Sequence, residues 1–352
     1  MTLLLNQIYR DEKTTFLLPP LPSDCSYFYA CHCGLISERT MLCHLITEYL
    51  SDALRTVTAI CAVYSDGEAV GASGNFGRVP FRSSCEVTTG KGILPEEERK
   101  RLIALFRRAA DVLVPMVVDV ELKRGDTPTA YSKFISSIHL LSGAENFVRI
   151  LAALGRDPLD RNAWYSSSDQ SRRGNLSHLL SRCVPTTGDT PEKLRQLLQN
   201  TDITEQRLVE AALYSPSWID LVGEYLDLPG FKSACYYFMA HMNEEFDEEK
   251  KAVIARFTPL TEEELNLGAF DLDWFHSAYE QLGEAKFNLI YDAAKYISDG
   301  SKHTRARKYA DAALGRMTVA DTEAEVRDKR NKDLLMAYAI IPLNGEEDLI
   351  HR

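Results

Sequence analysis

From Pro95 onward the sequence repeats one grammar, and that grammar leaves little choice of fold: a polar or proline start, apolar residues every three or four positions, then a glycine, serine or proline stop. "LPEEERKRLIALFRRAADVLVPMV" opens on Pro95 and three glutamates, which suit the positive end of a helix dipole. "AENFVRILAALG" stops at Gly155, "TPEKLRQLLQN" begins on a Thr cap and Pro, and "TEQRLVEAALYS" halts at Ser-Pro. The same reading continues through "PSWIDLVGEYLDLPG", "GFKSACYYFMAHM", "DEEKKAVIARF", "TEEELN", "DWFHSAYEQLG", "EAKFNLIYDAAKYISDG", "SKHTRARKYADAALG" and "TEAEVRDKRNKDLLMAYAII". Helices of about 10 to 17 residues with links of about two to six predict an all-α fold of stacked pairs.

Residues 1–95 have a different texture. They hold Cys25, Cys31, Cys33, Cys43, Cys61 and Cys85, the "PPLP" break, and the glycine-rich "SDGEAVGASGNFGRVPF". One helix is expected across "SERTMLCHLITEYLSDALRTV"; "VTAICAVYS" reads equally as a strand or as more helix. The expected organisation is therefore a less regular segment over 1–95 and helical blocks over 96–160 and 175–352, with "NAWYSSSDQSRRGN" as the joint.

With 352 residues, 45% of them hydrophobic, the chain has the material for a sizeable core. No run of about 18 apolar residues offers a membrane span, and no signal peptide is read at "MTLLLNQIYRDEK". A cytoplasmic protein with free thiols is expected. Its net charge of −11 argues against nucleic-acid binding over the whole surface, so any basic site must be local.

Internal repetition is loose. "SPSWIDLVGEYLDLPG" and "DLDWFHSAYEQLGEAK" share a Trp, apolar residues, Tyr and a break, in imperfect register, which suits irregular HEAT-like helix pairs with a solenoid-like stacking. "RLVEAALYSPSWIDLVGEYL", "GFKSACYYFMAHMNEEF", "YDAAKYISDGSKHTRARKYADAALG" and "RNKDLLMAYAIIPL" resemble the helical region of large uncharacterised bacterial proteins described as molybdate-metabolism-regulator-like, which end in a domain of unknown function. The resemblance runs from about Val118 to Leu343. It implies an all-helical, HEAT-like region of a longer chain and brings no catalytic residues. The stop at "NGEEDLIHR" is then expected to mark a truncated, split or minimal version.

Four places merit a chemical reading. In "YISDGSKHTRARKYADAALG" one helix is expected to end at Gly300 and the next to begin at Ser301. Its free N–H groups, with Lys302, His303, Arg305, Arg307 and Lys308, would make a site for an anion or an acidic partner. Residues 302, 305 and 308 share one stripe and 303 and 307 another. The structural alternative packs Tyr296, Tyr309, Ala310, Ala313 and Leu314 into a corner and pairs the charges with Asp299 or Asp311. His241 with Glu244, and Asp273 with His276, have the i, i+3 spacing of bundle metal ligands, although no four-carboxylate set accompanies them. Cys25, Cys31, His32, Cys33, Cys43 and His44 are soft ligands, but their spacing departs from paired zinc knuckles. Gly67, Gly71, Gly74 and Gly77, like "TTGKGI", lack the residues of a phosphate-binding loop.

Neither a nucleophile elbow nor another complete catalytic motif is present. The expectation is a non-catalytic helical scaffold or protein-interaction module of a bacterial cytoplasmic regulatory assembly, with a protein partner and no cofactor. Phosphate or nucleic-acid contact through residues 301–308 is the first alternative, and a metal-dependent enzyme or enzyme subunit the second.

Overall fold

The computed structural model describes residues 24–64, 81–161, 170–242, 246–297, 301–329, 331–343 and 345. Among the described residues the chain is all-α apart from one short strand pair, and it divides into two compact units, Met1–Asp189 and Thr190–Arg352.

In the first unit, helices α1 (Cys25–His32), α2 (Glu38–Glu48), α3 (Leu50–Val63) and α4 (Phe81–Thr88) precede the long α5 (Glu96–Lys123). The ambiguous "VTAICAVYS" continues as helix in α3, and the single helix expected before it is broken at Tyr49, whose φ of −131° leaves the helical region. Leu102, Phe106, Leu113 and Val117, at intervals of four, seven and four, give α5 a fully buried stripe. Helices α1 and α3 pack on α5, with Phe28 stacked on Phe106 at 4.1 Å, so 1–95 and the next block form one unit. A 3-10 turn (Ser132–Ser137), strand β1 (Leu141–Ser142), α6 (Ala144–Leu154), α7 (Arg172–Arg182) and strand β2 (Cys183–Val184) complete it. The strands run parallel, pairing Leu141 with Cys183 and Ser142 with Val184. Gly143 caps α6 without a side chain, and Asp189 supplies the acceptor instead: its Oδ2 accepts from the N–H groups of Ala144 (3.0 Å) and Thr186 (2.7 Å). Residues 175–189, which the sequence assigned to the C-terminal block, are thereby tied into the first unit, and the division falls at Thr190, the cap of the next helix.

A buried carboxylate anchors this unit. Glu121, fully enclosed, accepts from Arg124 Nη2 (2.7 Å), Ser132 Oγ (2.8 Å) and Asn175 Nδ2 (2.8 Å). Arg124 also donates to the carbonyls of Gly125, Asp126 and Gln170. One ion pair thus holds the end of α5, the turn after it and the start of α7.

The second unit comprises α8 (Pro191–Leu198), α9 (Glu205–Tyr214), α10 (Ile219–Tyr225), α11 (Phe231–Met242), α12 (Glu248–Ile254), α13 (Glu262–Leu267), α14 (Leu272–Ala293), α15 (Ser301–Ala313), α16 (Val319–Lys329) and α17 (Lys332–Ile340). Side chains of Thr190, Thr204, Asp247, Thr261, Asp271 and Asn331 cap six of these helices, and Thr261 with Glu264 makes a full capping box. Gly283 (φ 72°) interrupts α14 where the sequence placed a break. Helix α11 is buried on all its faces and contacts α10, α12, α13, α14 and α15.

Replacing Glu121 with Ala strands a buried guanidinium, an event that costs about 3–5 kcal/mol. Urea unfolding of Glu121→Ala is expected to register a loss of that size; a change under about 1 kcal/mol would mean that water replaces the carboxylate.

Candidate functional site

Helix α15 carries every basic residue singled out in the sequence, and its periodicity sends them to different neighbours. Ser301 opens the helix, while Asp299 and Gly300 lie outside the described residues. His303 and Arg307, one turn apart, both reach α14. The His303 ring stacks on Tyr291 at 4.0 Å with Nε2 2.8 Å from its carbonyl, and Arg307 lies over the same ring and donates to Asn288 Oδ1 (3.0 Å) and Asp311 Oδ2 (3.3 Å). Arg305 turns toward α11, where Nη2 donates to the His241 carbonyl (3.0 Å). A cation on the last carbonyls of a helix is favoured by the helix dipole. Lys302 and Lys308 are half-buried, and Tyr309, Ala310 and Ala313 fill the corner between helices. His303, Arg305 and Arg307 therefore each hold the helix to a neighbour.

His241 is 2% exposed, surrounded by Tyr237 (ring centroids 4.7 Å), Phe270 (5.5 Å) and Trp274 (6.4 Å), and neither ring nitrogen has a hydrogen-bond partner. Burial, reinforced by the Arg305 charge and opposed by Asp271, pushes its pKa down to about 3, so the imidazole is neutral. Asp271 is occupied: it accepts from the Thr258 hydroxyl (2.6 Å) and the Trp274 N–H (2.9 Å). Trp274 in turn donates through Nε1 to Ser233 Oγ at 2.9 Å.

The metal pairing read from spacing does not assemble. Asp273 is exposed on the first turn of α14, His276 sets its edge against Phe275, His241 is sealed in the core, and Glu244 lies outside the described residues. The N-terminal ligands are likewise spread out. His32 pairs with Glu98 (3.1 Å), His44 with Glu48 (3.3 Å), Cys33 and Cys43 are exposed, and Cys25 is buried. Among the described residues no three His, Cys, Asp or Glu side chains are grouped to hold a metal. Burial pushes the thiols of Cys25, Cys183 and Cys235 well up and those of Cys61 and Cys85 to about 11, the opposite of an activated nucleophile. The glycines at 67, 71, 74 and 77 fall outside the described residues.

Sequence reasoning passed over Gly268 and Lys332. Tyr237 and Tyr309 are buried with unpartnered hydroxyls, and Gly268 is a left-handed cap (φ 101°) that meets Tyr309, Arg305 and Lys332. A glycine directly after "TEEELNL" signals a helix stop, but no local pattern says which side chains gather around it.

A model for a family of unknown function, DUF5724, matches residues 2–352. No curated protein and no solved structure matches the chain.

The buried imidazole makes the second unit acid-labile. Between about pH 6.5 and 3 the unfolded His241 binds a proton that the folded one refuses, so stability falls as pH drops, by at most about 1.4 kcal/mol per pH unit. His139, pushed down to about 4 by burial, adds its own slope in the first unit. His241→Phe is expected to flatten the pH dependence of urea unfolding between pH 6.5 and 4; an unchanged slope would mean that the imidazole takes up its proton within the fold.

Proposed function

Since the chain belongs to DUF5724, a family whose function is unknown, its role has to be argued from its own side chains, and we propose a non-catalytic, HEAT-like helical interaction module. The molybdate-metabolism-regulator-like resemblance supports a place in a bacterial cytoplasmic regulatory assembly. The observation that carries the proposal is a set of exposed leucines in the second unit. Leu267 is 65% exposed, Leu335 54% and Leu343 40%. Gly268 meets the Lys332 side chain, so the end of α13 that bears Leu267 and the start of α17 that leads to Leu335 lie side by side. Exposed leucines on adjacent helix ends form the kind of apolar centre from which protein interfaces are built.

The side chains that chemistry would recruit favour the same reading. His241 is neutral and enclosed, and the buried thiols are held protonated. His303, Arg305 and Arg307 of α15 serve the packing of α11 and α14, and the phosphate or nucleic-acid alternative is put to the test at Lys302 and Lys308.

The test uses the full chain and a partner obtained by affinity capture, with direct binding then measured on the purified pair. A Leu267→Glu, Leu335→Glu variant that keeps wild-type circular dichroism is expected to lose about 2 kcal/mol or more of binding, roughly thirtyfold. Equal binding by wild type and variant would reject this face. A steep salt dependence with loss in Lys302→Glu, Lys308→Glu would transfer the function to the basic corner.

A further inference from the structure

Helix α1 is held in the first unit by an apolar face and by a group at each end that can take up a proton. Phe28, Tyr29 and Ala30 are buried, with Phe28 stacked on Phe106 of α5 and the Tyr29 hydroxyl donating to the Thr88 carbonyl at 2.8 Å. At the start lies Asp24, fully enclosed, and among the described residues neither of its carboxyl oxygens has a hydrogen-bond partner. An aspartate before a helix ordinarily caps it, but the Asp24 backbone is itself helical (φ −62°, ψ −41°) and its side chain bonds none of the freed N–H groups. At the other end His32 sets Nε2 3.1 Å from Glu98 of α5, an ion pair only while the imidazole carries its extra proton.

A dry carboxyl is tolerated as the neutral acid and penalised as the anion. Glu121, equally buried, has Arg124 at 2.7 Å, whereas the charge that acts on Asp24 is another acid, Asp52 of α3. Burial holds the Asp24 carboxyl above the ordinary aspartate range; the Thr56 side chain opposes this, and Asp52 adds to it. The groups that face α1 from its other neighbours supply no cation to Asp24. Beside it sits the Cys25 thiol, itself pushed up by burial, with Thr88 of α4. From α2, His44 stacks on Tyr27 at 4.9 Å, and Glu38 meets Arg108 of α5 at 3.2 Å near Cys31. Glu98 is shared between His32 and Arg101, the latter at 3.0 Å. Both ends thus respond to pH in one direction. Asp24 takes a proton more readily in the fold than in a loosened chain, so its contribution is present at low pH and is lost as pH rises from the ordinary value of 3.8 through the raised one. The His32 pair is lost in the same sense, when the imidazole gives up its proton.

We propose that α1 is a proton-held cover on α5, clamped while Asp24 and His32 are both protonated and loosened once both have lost their protons. Its loosening bares Phe106 and the apolar stripe around it, so the device gates a buried face of the first unit. It involves none of the exposed leucines of the interaction reading and stands whether or not that reading holds.

Hydrogen–deuterium exchange of the full chain, read by mass spectrometry on peptides from α1 and corrected for the intrinsic pH dependence of exchange, tests the device between about pH 4.5 and 7.5. In the wild type, protection of α1 is expected to fall about tenfold or more across that range. In Asp24→Asn, which keeps the shape of the neutral acid and cannot ionise, the fall should shrink to about threefold, the share left to His32. His32→Gln supplies an independent variant: about two- to threefold less protection than wild type at pH 5.5 and no difference at pH 7.5, as suits a pair whose acid is exposed. Peptides from α5 are the reference, since His139 acts on the whole unit and in the opposite sense. Level α1 protection in the wild type, the same fall in Asp24→Asn as in the wild type, or a fall that α5 shares in full would each overturn the proposal.

Discussion

Helix α11 is the constraint around which the second unit is arranged. "FKSACYYFMAHM" has no polar face to offer water, and a helix apolar all round is stable only when covered all round. Five helices provide the cover, and the contacts are largely aromatic: the Tyr237 ring alone meets Phe238, Phe270, Trp274, Phe275 and Phe287. Aromatic rings bury large areas and prefer tilted and edge-on contacts, so they also fix the angles at which the covering helices arrive. Arg305 on the His241 carbonyl closes the end of α11. What looked in the sequence like a free cation is one fastening of this sheath.

Buried polarity is met in two ways. In the first, Glu121, Arg124, Ser132 and Asn175 satisfy one another and pin irregular backbone, a use of buried charge that is tolerable because each carboxylate oxygen has partners. In the second, Tyr237, His241 and Tyr309 keep polar atoms dry and unpaired within one aromatic cluster. Such a cluster costs stability, whereas the Glu121 network is completed within the fold.

Most of the elements were legible in the sequence because helix ends are written locally. Thr190, Thr204, Asp247 and Thr261 cap where the Ser/Thr/Asp rule puts them, Gly155 and Gly268 stop where a left-handed residue is needed, and Gly283 breaks α14. Less legible were contacts made over long sequence distances. Asp189 caps a helix that begins at Ala144, and the two-residue strands Leu141–Ser142 and Cys183–Val184 are too short for any periodicity. The residues that meet at Gly268 share this difficulty: Gly268, Arg305, Tyr309 and Lys332 come from three helices, and only Arg305 stood out by charge. The i, i+3 spacing of Asp273 and His276 was present but empty of meaning, because spacing fixes a shared face and says nothing of what that face meets.

The position of α15 changes what a charge reversal along it would report. Arg305 holds α11, and His303 and Arg307 hold Tyr291 and Asn288, so glutamate at any of these puts a like or unpaired charge against a helix end or a packed ring. Loss of an interaction in such a variant would follow from a loosened sheath as readily as from a lost contact surface. Lys302 and Lys308 share the other stripe with Arg305. Helical periodicity sets this division: His303 and Arg307, four apart, reach α14, while Arg305, between them, reaches the buried carbonyl of His241.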